Sequence, residues 1–186
     1  LYLTEGKERK RVSCLVLNSP FFEFNTSPWK KKIEIPLAAS VSYLLPYLHK
    51  ENELNPFYIA SISKRYKGEW DFREDWKPDE GFPLYFAWLR AIRKAQKRVK
   101  KGLNISQPIL CMSSDKSIYE EHWSEIFFFG DAVLNVDDIR RTSSKLGQNV
   151  AYLAIQDGLH DLYLSRADVR EKALESSLEF MERNLN

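Results

Sequence analysis

The 186-residue sequence has few of the features that mark membrane, secreted or nucleic-acid-coating proteins. Its longest apolar run, 36–48, contains serines and a proline and is shorter than the roughly 18 residues needed to cross a bilayer. The chain opens with no secretory signal, and Cys14 and Cys111 are too few for a disulfide framework. Its 28 basic and 26 acidic residues nearly balance, which argues against a nucleic-acid partner. We expect a cytoplasmic protein with two buried thiols and no stable membrane insertion.

Three short apolar runs, rich in β-forming residues, predict buried strands. They lie at 11–18, 108–114 and 149–155, and a turn-forming or polar residue follows each of them. Such continuous hydrophobicity is typical of parallel strands that are covered on both faces. The fold class predicted by these runs is α/β.

Helix signals follow the second and third runs. Asp137 is a candidate N-cap and Gly147 a candidate helix stop, which predicts a strand–helix–strand unit. After the third run, 165–168 fits a loose capping box. An apolar stripe then predicts an amphipathic helix that covers the sheet, with these members: Leu174, Leu178, Met181 and Leu185.

The segment 19–107, between the first two runs, is too long for a simple crossover and too apolar for a linker. It holds 16 of the 25 aromatic residues. We interpret it as a mainly helical cap, or lid, inserted into a core formed by 1–18 and 108–186. Its clearest helix, 84–99, has an apolar stripe made of Leu84, Trp88, Ile92, Ala95 and Val99.

The stretch 90–101 of that helix has seven basic residues and no acidic residue. One interpretation is an anion-binding surface on a protein without catalytic activity. The other is a solvated helix face, because the remaining chain has 21 basic against 26 acidic residues. The second interpretation needs no ligand.

Three histidines limit the acid–base chemistry, and His160 is the best candidate for a catalytic base. It follows the third strand, and functional sites in open α/β sheets collect at the carboxyl ends of the strands. Asp131 precedes it by one strand–helix–strand unit, so both side chains return to one edge of the sheet. A carboxylate there would orient the imidazole. Asp115, directly after the second strand, is the alternative acid.

Several segments together resemble the α/β-hydrolase superfamily, in its lysophospholipase, monoacylglycerol-lipase and serine-aminopeptidase branch. The resemblance extends over nearly the whole chain and rests on the order and spacing of six segments: NSPFFEFN at 18–25, GEWDF at 68–72, WKP at 76–78, WLRAIR at 88–93, DAVL at 131–134 and GLHDLYLS at 158–165.

The resemblance implies that Asp131 and His160 are the acid and base of a Ser-His-Asp triad, and it favours Asp131 over Asp115. It implies hydrolysis of a carboxylic ester, such as a lysophospholipid or a monoacylglycerol, with a peptidase of the same fold as the alternative. Four aromatic residues of the lid are candidates for lining the substrate site: Phe21, Phe22, Trp70 and Trp88. No cofactor is implied, and the Cys and His residues do not have metal-ligand spacing.

The nucleophile elbow of such enzymes, Gly-x-Ser-x-Gly, is absent, since no two of the seven glycines lie four residues apart. The resemblance places the elbow a few residues before Leu1, and the chain does not open with methionine. We therefore expect the carboxy-terminal half of a hydrolase, inactive by itself. The first strand would then have a free edge, through which the chain assembles with the missing amino-terminal half or self-associates.

Overall fold

Three parallel strands form the centre of the molecule. The computed structural model describes residues 1–51, 55–73, 75–79 and 81–185. The strand bounds are β1 Leu15–Asn18, β2 His49–Lys50, β3 Leu84–Tyr85, β4 Ile109–Ser114 and β5 Val150–Ile155. The order in the sheet is β1-β4-β5, and a separate antiparallel pair joins β2 to β3.

Six α-helices accompany the strands in the described part of the chain: α1 Tyr2–Glu5, α2 Ile35–Val41, α3 Pro56–Ile62, α4 Phe86–Lys101, α5 Val136–Ser143 and α6 Ala167–Leu185. A π-helical turn, Lys30–Glu34, leads into α2. Short 3-10 helices occupy Arg9–Arg11, Glu125–Phe128 and Leu162–Leu164. Helix α2 packs against α4, so the insertion after β1 has an internal helical layer.

Strand β4 is buried along its whole length, and its side chains alternate between two cores. Ile109 and Cys111 face a cluster that includes Ile139 of α5. Leu110 and Met112 face the other side, where α6 packs. The predicted α/β class is therefore confirmed, with a parallel sheet flanked by helices, and β4 is the strand covered on both faces.

The three predicted strands are confirmed, with one change at the first. Pairing with β4 begins at Leu15, and Arg11, the first residue of the predicted run, belongs to the 3-10 turn Arg9–Arg11. Helix α5 also differs in its ends. Its N-cap is Asn135, whose side chain accepts hydrogen bonds from the backbone N–H groups of Asp137 and Asp138.

Gly147 does not end helix α5, which ends four residues earlier at Ser143. It lies instead in an isolated bridge with Ile105, where a Cβ atom would come within 2.3 Å of the Ile105 carbonyl oxygen. The glycine is needed because two backbones approach closely there.

The apolar stripe predicted for the last helix faces away from the sheet. Leu174, Leu178 and Leu185 are exposed, whereas the buried side of α6 consists of Val169, Ala173 and Ser177. Small residues allow the helix to approach the sheet closely. The buried Ser177 hydroxyl has a hydrogen-bond partner, because it donates to the Ala173 carbonyl.

The predicted capping box before α6 does not form. The Ser165 hydroxyl accepts a hydrogen bond from the Leu159 backbone N–H, 2.9 Å away, and so braces the loop after β5. The helix on the insertion is confirmed as α4, which begins at Phe86 because Leu84 and Tyr85 pair with β2. Within the described residues, no helix is long and apolar enough to span a membrane.

The orientation of α6 can be tested by replacing two leucines with alanine, one buried beneath the helix and one on its exposed side. We expect Leu162→Ala to lower the free energy of unfolding by about 2–5 kcal/mol, because its side chain is fully buried beneath α6. Leu178→Ala, at a side chain that is 55% exposed, should change it by less than about 0.5 kcal/mol. Urea denaturation measures both values, and a large loss for Leu178→Ala would support the stripe predicted from sequence.

Candidate active site

Asp131 is held at the carboxyl edge of the sheet by a short parallel bridge to Ser117. Its backbone N–H donates to the Lys116 carbonyl, and its carbonyl accepts from the Ile118 N–H at 2.8 Å. Gly130 makes this approach possible, since a Cβ there would lie 2.7 Å from the Ile118 side chain. The segment after β4 therefore returns to the strand end and fixes the aspartate backbone.

The Asp131 carboxylate is fully buried and fully hydrogen-bonded. Its Oδ1 accepts from the backbone N–H groups of Val133 and Leu134, at 2.7 and 2.8 Å. Its Oδ2 lies 3.0 Å from Nδ1 of His160. These three hydrogen bonds offset the cost of removing the carboxylate from water.

The hydrogen bond to Asp131 fixes the tautomer of His160. An ionised carboxylate only accepts, so Nδ1 must carry the proton and donate it. The other ring nitrogen, Nε2, makes no hydrogen bond with any residue that the structure describes. The side chain is 24% exposed and lines a cleft, so Nε2 is available to a ligand or a reacting group.

A ring contact to His160 and two hydrogen bonds to the residues after it restrain this part of the site. The ring of Tyr58 meets the imidazole edge to face, with centroids 5.6 Å apart. Asn18, at the end of β1, donates from Nδ2 to Asp161 Oδ1 at 2.7 Å and accepts from the Leu162 N–H. The ends of β1 and β5 are thereby tied together beside His160. Burial raises the pKa of the Tyr58 hydroxyl, with a smaller contribution from the nearby Asp161 and Asp131 charges, so Tyr58 stays neutral.

The cleft beside His160 has a volume of about 900 Å³ and is lined mostly by residues of the insertion 19–107. Phe21 and Trp88 are among them, and their rings stack with centroids 6.4 Å apart. Val133 and Leu134 line the side next to Asp131. The cleft can therefore hold an apolar group with one end at the imidazole.

Two of the aromatic residues predicted to line the site lie elsewhere. Phe22 is buried in the core cluster with Val99 and Cys111, so the prediction for it is wrong for this cleft. Trp70 donates from its indole N–H to the Leu164 carbonyl at 2.7 Å, and so anchors the insertion to the segment after β5. Phe21 lines the cleft and its neighbour Phe22 enters the core. The sequence does not predict this difference, because it depends on the path of the backbone.

Asp115 is not hydrogen-bonded to His160 among the described residues. Its Oδ1 accepts from the Asp157 backbone N–H at 2.8 Å, and the residue is exposed. Of the two candidate acids, only Asp131 contacts the imidazole.

Three residues at the cleft were missed by sequence reasoning, namely Asn18, Tyr58 and Lys77. Asn18 and Lys77 lie within segments that the resemblance quotes, although it implies no role for them, whereas Tyr58 lies on the insertion outside those segments. Among the described residues, no group of three or more His, Cys, Asp and Glu side chains is arranged to hold a metal ion.

The basic stretch 90–101 is partly neutralised. Arg98 pairs with Glu5 and Lys100 pairs with Glu23, both of which lie on other elements. These pairs favour the interpretation of this stretch as a solvated helix face with acidic neighbours.

The tautomer of His160 can be measured directly. We expect ¹⁵N–¹H correlation spectra to show Nδ1 protonated and Nε2 unprotonated in the neutral ring, because Asp131 accepts from Nδ1. Asp131→Asn should shift the ring toward the Nε2–H form, while the exposed His122 should keep its spectrum. A wild-type His160 with its proton on Nε2 would contradict the hydrogen bond.

Comparisons with known proteins identify the fold. No family model matches the chain, and no curated protein matches it. Among solved structures it is similar to a monoacylglycerol lipase from Paleococcus ferrophilus, with a TM-score of 0.66, 15% identity, and coverage of 92% of this chain and 59% of the lipase. It is also similar to a soluble variant of monoglyceride lipase from Saccharomyces cerevisiae in complex with a substrate analog, with a TM-score of 0.67, 10% identity, and coverage of 98% and 60%. The chain therefore has the α/β-hydrolase fold and spans about three fifths of the length of these two lipases, as a carboxy-terminal portion would.

Proposed function

We propose that this chain supplies the acid and base of a serine hydrolase that cleaves carboxylic esters, with the serine on a segment outside the chain. The observation that carries the proposal is the buried, fully hydrogen-bonded Asp131 beside His160, whose ring lines an apolar cleft. A buried carboxylate that is hydrogen-bonded to a histidine at the wall of a cleft is the arrangement of an acid and a base in an active site.

In this proposal His160 takes the proton of the serine hydroxyl on Nε2 while the serine oxygen attacks the ester carbonyl. The imidazolium then gives that proton to the leaving alcohol, and a water molecule releases the acid by the same route in reverse. Asp131 keeps its negative charge throughout and stabilises the imidazolium through Nδ1.

The edge of the sheet supports the location proposed for the serine. In the described structure β1 pairs with β4 alone, so its outer edge is free to take another parallel strand. Neighbouring strands lie about 4.8 Å apart, so the end of an added strand would come close to Asn18. Asn18 is hydrogen-bonded to Asp161, the residue after His160.

The lining of the cleft supports a lipid-like substrate. Aromatic and aliphatic residues of the insertion form most of it, and we propose that 19–107 acts as a lid. The segment 43–48, close to the lining residue Lys50, exposes five large apolar side chains: Tyr43, Leu44, Leu45, Tyr47 and Leu48. Such a surface suits an ester that is delivered from a lipid phase. Lysophospholipids and monoacylglycerols are esters of this kind.

A cytoplasmic location is part of the same proposal. Cys14 and Cys111 are both outside any disulfide. Cys111 is buried, as predicted, and burial raises the pKa of its thiol to about 12, but Cys14 is only half-buried. Free thiols are typical of proteins in a reducing compartment.

The catalytic roles can be tested on the chain extended by, or co-expressed with, the upstream coding segment. We expect hydrolysis of p-nitrophenyl esters that His160→Ala lowers by about 10⁶-fold and Asp131→Asn by about 10⁴-fold. The matched control is His122→Ala, at an exposed histidine away from the cleft, which should keep full activity.

A fluorophosphonate probe locates the nucleophile in the same preparation. We expect it to label a serine of the upstream segment and to leave the chain of residues 1–186 unlabelled. Labelling on a serine of this chain, or an active His160→Ala variant, would contradict the proposal.

We further propose that the free edge of β1 is an assembly surface for the missing amino-terminal half, and that it drives self-association of the chain alone. The backbone N–H groups of Leu15 and Ser19 donate to the carbonyls of Pro108 and Met112, so by the two-residue period those of Val16 and Asn18 point outward. Val16→Pro removes one outward donor and spares the bonds to β4.

Light scattering measures this association. We expect the chain alone to exceed its monomer mass of 21.9 kDa at high concentration, and Val16→Pro to shift it toward the monomer. An unchanged thermal transition controls for folding of the variant. A wild-type chain that stays monomeric at high concentration would refute association through this edge.

A further inference from the structure

Lys77 is a half-buried cation in the wall of the cleft. Its ammonium nitrogen lies 4.9 Å from the ring centroid of Tyr58 and 5.9 Å from that of Phe72. The Tyr58 ring contacts His160 in turn. One aromatic ring therefore separates the ammonium group from the imidazole, which places the positive charge within the reach of a ligand held at His160.

The charge on Lys77 has no counterion among the described residues, and it makes no hydrogen bond with them. Two acidic side chains of the lining, Glu34 and Asp79, are paired with basic residues. Glu34 pairs with Lys50 at 3.3 Å, and Asp79 pairs with Arg65 at 2.6 Å. Lys77 differs from them in being held by aromatic faces alone.

Asp161 is the acidic residue that acts on Lys77, and its carboxylate is already engaged. Its Oδ1 accepts hydrogen bonds from Asn18 Nδ2 and from the Tyr163 backbone N–H. Burial lowers the pKa of Lys77, and the charge of Asp161 opposes that shift without forming an ion pair. The ammonium group thus keeps unused hydrogen-bond donors toward the cleft.

A partly desolvated ammonium group with free donors binds an anion more strongly than a solvated one, because less water must be removed and the field is less screened. We propose that Lys77 is an anion-binding residue of the cleft, and that it selects ligands carrying a phosphate or carboxylate group on an apolar chain. The reaction of such a ligand rests on the function proposed above, but its binding does not.

This site would distinguish two kinds of lipid ester. A phosphate on the alcohol portion of an ester, as in a lysophospholipid, would give Lys77 its missing counterion. A neutral ester, such as a monoacylglycerol, would leave the cation uncompensated in a more enclosed cleft. A fatty-acid carboxylate, the product of either ester, offers the same anionic oxygens.

Displacement of the neutral dye Nile red from the chain tests the proposal with three ligands of one chain length: decyl phosphate, decanoate and decanol, each below its micelle concentration. We expect the anionic ligands to displace the dye more strongly than decanol. Lys77→Gln should reduce that preference by about tenfold, the factor that corresponds to about 1.4 kcal/mol. Lys77→Arg, which keeps the charge, should retain most of it.

Lys67 offers a matched control, since its ammonium lies 5.2 Å from the Trp123 ring centroid but it is exposed and does not line the cleft. Lys67→Gln should leave the preference unchanged. Stronger binding of decyl phosphate than of decanoate assigns the site to a substrate phosphate, and the reverse assigns it to a product carboxylate.

An equal loss in the Lys67 and Lys77 variants, no preference for anions in the wild-type chain, or no displacement by any ligand would overturn the proposal. The outcome is independent of catalysis. An anion preference that depends on Lys77, in a protein whose His160→Ala variant stays active, would uphold this site and refute the proposed hydrolase mechanism.

Discussion

The burial of β4 on both faces is the constraint on which the other layers depend. A strand with apolar residues on both sides must be covered twice, so α5 packs on one face and α6 on the other. Parallel pairing on both edges requires crossovers, and these bring the ends of β1, β4 and β5 to one edge of the sheet. Asn18 ends β1, and Asp131 and His160 lie on the segments after β4 and β5, so the three residues come together at that edge although they are far apart in the sequence.

Two charged side chains near His160, Asp131 and Lys77, have opposite environments. Asp131 is fully buried and uses three hydrogen bonds, so its charge is compensated before any ligand arrives. Lys77 is half-buried, and its ammonium group lies against the rings of Tyr58 and Phe72. The hydrogen bonds of Asp131 hold its side chain in one position, which suits a residue that orients a base. The ammonium group of Lys77 still has hydrogen-bond donors to offer, which suits a residue that recognises a ligand. Tyr58 lies between them and contacts both His160 and Lys77.

Sequence reasoning succeeded where a pattern reflects local chemistry. The strands at 108–114 and 149–155 were predicted nearly to the residue, because continuous apolar runs bounded by polar residues have few other uses. It failed on the orientation of α6. Leu174, Leu178 and Leu185 form the more hydrophobic stripe, but close packing on the sheet favours the small side chains of Ala173 and Ser177. The predicted helix caps were also wrong. Asn135, and not Asp137, caps α5, and the Ser165 hydroxyl accepts from the Leu159 N–H and does not cap α6.

The sequence by itself determined the α/β class, the strands, the long insertion, and the presence of His160 and a candidate acid, Asp131 or Asp115, at one edge of the sheet. Those features follow from composition, from periodicity and from the way a strand–helix–strand unit returns the chain to the same edge of the sheet. All three can be recognised over short stretches of sequence. Only the tertiary structure decided that Asp131 and not Asp115 contacts the imidazole, that Phe21 lines the cleft while Phe22 enters the core, and that Lys77 stands one ring away from His160. Each of these depends on the path of a loop or of the insertion through space. That path is set by the sum of many distant contacts, and no local pattern records it.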